Sequence, residues 1–302
     1  MRYRIRHETT YRYASDVLHA RHLLHLVPRP FTHQECVNFA ITITPAAERR
    51  DDMIDAFGNV VTRLEFERPH RRLDVVSDLE VDVYSRAPAI AEQTDAWGRV
   101  RGDLAYGGPW PTRDRLEACK FRHESPYVRI KQMYTDYAED CFAPRKPILA
   151  CAEALMSKLH EDIEYAPGET TVQTPLKDVL RDRSGVCQDF AHLMIACLRS
   201  RGLAARYVSG YVRARPPAVD GCESSSASAL VGAGASHAWV AVYCPPFGWV
   251  ELDPTNDCRV GADHIAIAWG RDFGDVSPLR GVILGGGAHQ LHVCASVEPL
   301  TP

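Results

Sequence analysis

Three residues in the second half of the chain, Cys187, His237 and Asp253, are of the types that carry out nucleophilic chemistry. Cys187 follows a glycine-containing turn and opens a long segment with helical apolar spacing. A thiol in the first turn of a helix faces exposed backbone N–H groups and a partial positive charge, which favour thiolate over thiol. The order Cys, His, Asp could therefore supply a nucleophile, a base and a group that orients the base.

The position of Cys187 alone leaves two interpretations open. Ser184 is a candidate N-cap that would start the helix and leave the Cys187 N–H near its own sulfur. A cysteine in a helical segment is otherwise a small buried residue, as we expect for Cys197. His192, the nearest histidine in sequence, lies roughly 140° around the helix from Cys187, so it is expected to point away from the sulfur.

His237 and Asp253 fall on two segments that are expected to form adjacent strands. The turn-forming stretch Cys244-Pro245-Pro246-Phe247-Gly248 lies between them, so an antiparallel pair would bring the two side chains together. The Asp253 carboxylate would then orient the imidazole. The alternative is a histidine at a strand edge and an unrelated turn aspartate before Pro254.

The elements that must position these residues divide the chain into three parts. Residues 1–85 contain short alternating segments and predict a β-sandwich-like domain. Residues 86–123 are rich in proline, glycine and charge, and predict a linker or irregular crossing segment. Residues 124–302 show helical periodicity followed by strands. Helices are expected at 127–137, 147–160, from 174 onward and at 186–201, and strands at 205–212, 237–243, 249–252 and 291–297.

Composition disfavours several classes of function. The formal net charge of −4 gives no basic field for nucleic acid or an anionic membrane. No apolar run is long enough for a transmembrane helix, and no apolar core follows the basic start of the chain, so a secretory signal is not expected. The 10 cysteines contain no Cys-x-x-Cys pair. We expect most of them to be buried thiols of a cytoplasmic protein.

Five motifs occur in a fixed order, and their combination carries more information than any one of them. They are Thr174-Pro175-Leu176, Gly185-Val186-Cys187-Gln188-Asp189-Phe190-Ala191, Arg206-Tyr207-Val208-Ser209-Gly210-Tyr211, Ser236-His237-Ala238-Trp239-Val240 and Gly248-Trp249-Val250-Glu251-Leu252-Asp253-Pro254-Thr255-Asn256. Together they resemble the bacterial transglutaminase-like family. The N-terminal region, with Tyr11-Arg12-Tyr13 and Leu26-Val27-Pro28-Arg29, resembles the accessory β domain of that family.

The resemblance implies an α+β fold with a papain-like core, in which helices pack on an antiparallel sheet over residues 124–302. It also implies that Cys187 is the nucleophile, His237 the general base and acid, and Asp253 the residue that orients His237. The chain departs from the family pattern at Gly234, where relatives often have an acidic residue. The loop at 216–236, rich in serine, alanine, glycine and proline, is also enlarged. It would border the site or act as a plain linker.

The implied reaction is attack of the Cys187 thiolate on an amide carbonyl to form a thioester. Water or an amine would then release the acyl group, which makes the protein a peptidase or amidase, or a transglutaminase, acting on a peptide or glutamine-type amide. Hydrolysis is slightly favoured because water competes unless a site excludes it. The alternatives are a non-catalytic peptide-binding module on the same scaffold and acyl transfer from a thioester donor.

Other residues have weaker assignments. The Cys187 N–H is a candidate oxyanion donor, with Gln188 or Gln173 as the second. Trp239 and Trp249 could wall the site, although buried strand aromatics are the commoner case. No metal or cofactor is expected, since His19, His22 and His25 do not share one face of a strand or helix, and Asp51, Asp52 and Asp55 lack the calcium-loop pattern.

Overall fold

The computed structural model of the chain describes residues 1–106, 112–213, 230–232 and 234–300. Most of the breaker predicted at residues 106–110 and most of the loop predicted at 216–236 lie outside the described residues. The α+β fold expected from the sequence is confirmed: an N-terminal antiparallel sheet is joined to a core of helices on a second antiparallel sheet.

The longest strands of the molecule belong to the N-terminal sheet. The strands are β1 (Arg2–Leu24), β2 (Gln34–Thr44), β3 (Arg49–Ile54), β4 (Val60–Phe66), β5 (His70–Val83), β6 (Glu164–Tyr165), β7 (Ser184–Gly185), β8 (Ala205–Val212), β9 (His237–Tyr243), β10 (Trp249–Asp253), β11 (Cys258–Arg259), β12 (His264–Gly270), β13 (Leu279–Gly285) and β14 (His289–Leu300). The α-helices are α1 (Trp97–Asp103), α2 (Arg113–Cys119), α3 (Gln132–Tyr137), α4 (Ile148–Asp162), α5 (Leu176–Asp182), α6 (Cys187–Ser200) and α7 (Phe273–Val276).

The N-terminal domain is one curled sheet built around β1. The strand order is β2-β5-β1-β4-β3, and β13 and β14 also pair with β1. Residues 2–12 of β1 lie between β5 and β14, whereas residues 20–24 lie between β4 and β13. The two halves of β1 thus carry different neighbours, and the sheet folds over a shared apolar core that contains Val17, Leu64 and Val75. A single curled sheet therefore encloses a core as a sandwich does.

The alternation that predicted β5 is visible in its burial. Leu73, Val75, Leu79, Val81 and Val83 are buried, and the residues between them are less so. Leu73 and Val75 belong to the N-terminal core, while Leu79, Val81 and Val83 belong to the main core beneath the helices. One strand therefore joins the two parts of the molecule through a single face.

The core sheet has the order β11-β10-β9-β8-β12, with every pair antiparallel. All residues of β8 and β9 are buried, because helix α6 covers one face and a smaller apolar cluster with Val208 and Trp239 forms on the other. Strands covered on both faces form continuous apolar runs. This packing places the start of α6 beside the start of β9 and the end of β10.

Two parts of the predicted organisation differ from the structure. Residues 86–123, predicted to be irregular, include α1 and α2, and their buried side chains Val100, Leu104 and Phe121 belong to the main core. Both helices have only seven residues, too few for a clear apolar period. Residues 279–300, grouped from the sequence with the catalytic domain at 124–302, pair with β1 as β13 and β14. A pairing between residues so far apart in the chain cannot be predicted from local sequence patterns.

Candidate active site

Helix α6 begins at Cys187, but its cap differs from the prediction. The N-cap is Val186, and the Asp189 carboxylate accepts a hydrogen bond from the Val186 N–H at 2.9 Å. Thr170 donates to the same carboxylate oxygen at 2.6 Å. Ser184, the predicted cap, lies in β7 and donates to Glu169. An acidic residue at the third helical position can reach back to the chain entering the helix, so Asp189 takes the role expected of Ser184.

Gly185 allows this close turn. A Cβ at residue 185 would lie 2.9 Å from the Asp189 Cβ, closer than such atoms approach. Asp189 is buried, which raises the pKa of its carboxyl, while the bonds from Thr170 and Val186 act in the opposite direction. The Gly185, Cys187 and Asp189 spacing thus reflects how the chain enters the helix and presents the thiol at its first turn.

His237 and Asp253 meet as the predicted hairpin requires. The His237 Nε2 and the Asp253 Oδ2 are 2.8 Å apart, and both side chains are fully buried. In the register of the hairpin Leu252 faces Val240. Asp253 is therefore opposite Trp239, and its carboxylate reaches His237 diagonally across the strand pair. Nε2 donates to the carboxylate in this arrangement, which leaves Nδ1 as the nitrogen able to accept a proton.

The Asp253 carboxylate is saturated with donors. Its Oδ2 also contacts Asn256 Nδ2 at 2.7 Å and His264 Nε2 at 3.1 Å. Its Oδ1 accepts from the backbone N–H groups of Thr255 and Asn256 at 3.0 and 3.3 Å. Burial alone would raise the pKa of Asp253, but the charge of His237 and the hydrogen bonds from His237 and His264 lower it well below its usual range. Asp253 is thus held as a carboxylate.

The imidazole of His237 lies between this carboxylate and Cys187. Burial would lower its pKa, but Asp253 and then the Cys187 thiol raise it, to about 10. Among the described residues Nδ1 makes no hydrogen bond. Hydrogen bonds between catalytic side chains are often long in an unliganded site and shorten when substrate binds. The structure therefore brings the three predicted residues together.

A short segment before β9 covers the imidazole. Asn256 accepts from the Val231 N–H at 2.7 Å and donates to the Val231 carbonyl at 3.2 Å. A Cβ at Gly232 would lie 2.4 Å from His237 Nδ1, so only glycine allows this approach. His237 is 1% exposed, whereas Cys187 is half-buried. Asn256 thus links the segment directly to the Asp253 carboxylate.

Of the glutamines considered as oxyanion donors, Gln188 is half-buried and follows Cys187 in α6. Gln173 is exposed, and it lines a cavity together with Tyr127, Tyr134 and Lys177. This leaves the Cys187 N–H, at the helix start, as the donor with the clearest position.

The two tryptophans have well-defined packing roles. Trp239 is fully buried and donates from Nε1 to Glu251 at 2.7 Å. Trp249 is at the other end of β10 from Asp253 and lies under the Arg206 guanidinium at 3.7 Å. Two tyrosines are close enough to interact electrostatically with the Cys187 thiol, half-buried Tyr165 and fully buried Tyr207. Sequence reasoning missed Tyr165, although the motif at 206–211 includes Tyr207.

The sequence did not predict a role for His264, and Asn256 appeared only as the last residue of a motif. The signal for Asn256 was its position two residues after Pro254 in a chain turning away from a strand. His264 has no such signal, because it reaches Asp253 only when β12 pairs with β8. His192, predicted to point away from Cys187, is buried and accepts from the Phe273 N–H at 3.1 Å.

The other clusters singled out from the sequence are dispersed. His22 packs edge-on to Phe66, and His25 contacts the Ser277 carbonyl at 3.2 Å. Asp51 pairs with Arg49 and Arg63, and Asp52 accepts from Thr62. Both carboxylates thus have hydrogen-bonded partners, whereas the buried His22 ring makes an aromatic contact and, among the described residues, no hydrogen bond. Of the nine cysteines that the structure describes, only Cys141, Cys151, Cys197 and Cys244 are buried, fewer than the majority expected from the sequence; four are half-buried and Cys294 is exposed.

Two family descriptions match separate parts of the chain. "Bacterial transglutaminase-like N-terminal region" matches residues 3–82, and "Transglutaminase-like superfamily" matches residues 135–254, which include Cys187, His237 and Asp253. The chain belongs to the transglutaminase-like superfamily. Full-length relatives are uncharacterized proteins of Mycobacterium tuberculosis strain H37Rv, 37% identical over 93% of this chain and 87% of that protein, and of Mycobacterium leprae, 33% identical over 99% of both.

A named enzyme and a solved structure are more distant. A protein-glutamine gamma-glutamyltransferase of Pseudomonas aeruginosa is 34% identical over 34% of this chain and 16% of that protein. A Cytophaga hutchinsonii protein, provisionally named a cysteine protease, superposes with a TM-score of 0.72 at 19% identity, covering 100% of this chain and 93% of that one. This likeness supports the fold. At the level of the superfamily, the comparisons support a thiol-dependent enzyme. Over the described residues, no helix has the length and apolar character needed to cross a membrane.

Proposed function

We propose that this protein is a cysteine enzyme that acts on an amide through a Cys187 thioester, as a peptidase or amidase. The observation that carries the proposal is the His237–Asp253 pair at 2.8 Å, whose imidazole is close enough to Cys187 at the start of α6 for the thiol to raise its pKa. A carboxylate held ionised by five donors fixes the ring and stabilises its protonated form. A site built only for binding would not need this buried charge arrangement.

The residues act in sequence. Cys187 transfers its proton to His237 Nδ1 and attacks the amide carbon, while the carbonyl oxygen takes the negative charge near the Cys187 N–H. His237 then protonates the departing amine, leaving a thioester on Cys187. A water gives its proton to His237 as its oxygen attacks the thioester carbon. The C–S bond then breaks, which releases the acid and restores the Cys187 thiolate beside the protonated His237.

Amine transfer is the second candidate, and one observation favours it. The P. aeruginosa relative is named a protein-glutamine gamma-glutamyltransferase, and its similarity covers 34% of this chain. In that reaction an amine replaces water in the second half, while the residues keep their roles. Hydrolysis remains our first proposal because water reaches any thioester that the site does not shield.

Mass spectrometry after incubation with a library of peptides and glutamine substrates tests the proposal. We expect an acyl adduct on Cys187 that disappears with time in water and is diverted to an amide product when an amine is added. The Cys187→Ala protein should form no adduct and no product. Turnover that survives Cys187→Ala would contradict the proposal, and binding of peptides without any adduct would favour the binding-module alternative.

Alkylation by iodoacetamide tests the nucleophile without a substrate. Cys294 is exposed and Cys187 half-buried, so a rate set by exposure alone would favour Cys294. We expect Cys187 to be alkylated faster, because a thiolate paired with His237 is the reactive form. If Cys294 is alkylated first, and the alkylation rate at Cys187 does not change when His237 is replaced, Cys187 is not an activated thiol.

The substrate is proposed to be a peptide or protein amide, with neither nucleic acid nor membrane as a partner, and the location to be the cytoplasm. The net charge of −4 and the buried thiols support this assignment. Fractionation of cells that express the full-length natural protein would test it, since recovery with the membrane or an exported fraction would contradict a cytoplasmic location.

A further inference from the structure

A second group of chemically reactive side chains shares Asp253 with the proposed triad. Asp253, Cys258 and His264 each offer one ligating atom, and these atoms lie within 4.8 Å of one another. Asp253 ends β10, Cys258 opens β11 opposite it, and His264 opens β12. Asp253 and His264 are buried and Cys258 is half-buried. The fold of the core sheet thus assembles three donors that are scattered in the sequence.

The donor set suits a thiophilic divalent cation. Carboxylate oxygen, thiolate sulfur and imidazole nitrogen are all ligands of Zn²⁺, at roughly 2.0–2.3 Å in a tetrahedral site. Such bonds separate the ligand atoms by about 3–4 Å. The Asp253 Oδ2 and His264 Nε2 are already 3.1 Å apart. A contraction of the cluster by about 1 Å would therefore form a site with a fourth position open to water.

We propose that Asp253, Cys258 and His264 bind Zn²⁺, and that the bound ion switches off the enzyme by withdrawing Asp253 from His237. The inhibitory part of this inference rests on the proposed function, whereas ion binding does not. The carboxylate that would ligate Zn²⁺ is the one that accepts the hydrogen bond from His237 Nε2. A cation bound to this carboxylate competes with the His237 imidazole for the lone pairs of the carboxylate.

Binding of Zn²⁺ to these three residues moves one proton and releases another. The His264 proton now on Nε2, facing Asp253, moves to Nδ1, which makes no hydrogen bond among the described residues. The ion then takes the place of that proton between the two side chains. Cys258 loses its thiol proton to solvent, so one proton is released per ion bound and binding should weaken as pH falls. Asp253 Oδ1 keeps its bonds from the Thr255 and Asn256 backbone.

Binding is tested on the full chain carrying Cys187→Ala, which prevents chelation of the ion by the Cys187–His237 pair. Titration with Co²⁺, followed by its thiolate charge-transfer absorption, and calorimetry with Zn²⁺ should each show one site. Adding Cys258→Ser should abolish the absorption band and weaken Zn²⁺ binding at least about tenfold. Adding Cys294→Ser instead should change neither, since Cys294 is exposed on β14. Equal binding by the Cys258→Ser and Cys294→Ser proteins would overturn the proposal.

Inhibition is tested with Cys187 present. Cys258 has no proposed role in the reaction itself, so we expect Cys258→Ser to keep basal turnover, or basal Cys187 alkylation if turnover is absent, and to require at least about tenfold more Zn²⁺ for half inhibition. Unchanged Zn²⁺ sensitivity in a folded Cys258→Ser protein would refute the inhibitory role. Loss of turnover in every variant would instead count against the proposed function and leave the binding result standing.

Discussion

Asp253 is the residue on which the site depends most, because one buried carboxylate serves several donors at once. His237, Asn256 and His264 reach its Oδ2, and two backbone N–H groups reach its Oδ1. A buried carboxylate without partners would take up a proton, whereas one with this many donors stays charged. The charge in turn raises the pKa of His237. The charge state of the imidazole therefore depends on the residues that hold Asp253 ionised.

The pH dependence of Cys187 reactivity should report this charge. Asp253→Asn removes the partner that raises the pKa of His237 to about 10 and leaves burial, which lowers it. A thiolate–imidazolium pair exists only below the pKa of the imidazole, so its loss on the alkaline side should move to lower pH. The measurement is the rate of Cys187 alkylation against pH.

Asp257→Asn is the matched control for Asp253→Asn, since it removes an equal charge nearby. Asp257 is exposed and accepts from Ser157 rather than from His237. Its pH profile should overlay that of the unaltered protein. An alkaline limb that stays in place in Asp253→Asn would show that His237 does not take its charge state from Asp253.

At the scale of elements, the start of α6 decides where the thiol lies. Val186 and Thr170 both donate to the buried Asp189 carboxylate, which ties the helix start to the segment before α5. Gly185 makes room for that carboxylate. Asp189 and Cys187 are only two residues apart, so any displacement of the first turn of the helix would also move the sulfur.

We therefore expect Asp189→Ala to affect both stability and reactivity. Loss of a helix cap costs about 1 kcal/mol, and the two donors left unpaired raise the loss to about 2–3 kcal/mol. Cys187 alkylation should slow because the first turn is no longer held. Urea unfolding and alkylation rates measure the two effects. Thr170→Val removes only one donor and keeps the Val186 bond, so it should destabilise less; equal losses in the two variants would contradict the cap.

Local patterns predicted the elements near the site because each has a regular apolar period or a sharp turn. The hairpin of β9 and β10 follows from its alternation and the turn at 244–248, and it brings His237 to Asp253. The α1 and α2 helices were missed because seven residues carry too short a period. His264 was missed because its position depends on which strand β12 joins, and periodicity does not specify a partner.

At the scale of the whole molecule, the N-terminal domain protects an edge of the core sheet. Gln34 exchanges two hydrogen bonds with the Ala266 backbone, at 2.7 and 2.9 Å, and Asn59 does the same with Trp269, at 2.9 and 3.0 Å. Ala266 and Trp269 lie on β12, which ends the order of the core sheet. An uncovered edge strand invites pairing with other chains. The accessory domain thus completes β12, the strand that brings His264 to Asp253.

Stacked cations hold the same boundary. The Arg29 guanidinium lies 3.2 Å from the ring centre of Trp269, and Arg206 lies 4.7 Å from it. Burial lowers the pKa of Arg206 to about 9 and that of Arg29 to about 10. Buried guanidinium groups on aromatic faces gain more from the ring than exposed ones do. The two domains therefore meet through specific polar and stacked contacts around β12.

The C-terminal strand makes a second connection between the domains, and it leads to the site. Ala295 of β14 donates from its backbone N–H to the Gly234 carbonyl at 3.0 Å, just before His237. Ala295→Pro removes this donor at the outer side of an edge strand, where proline is tolerated. We expect the chain ahead of His237 to loosen and Cys187 alkylation to change at least about threefold, while unfolding changes by less than about 1 kcal/mol. Val293→Pro, two residues earlier on the same side of β14, controls for the strain of proline. The same alkylation rate in both variants would mean that the N-terminal sheet does not hold the segment beside His237, and that its influence on the site passes through β12 alone.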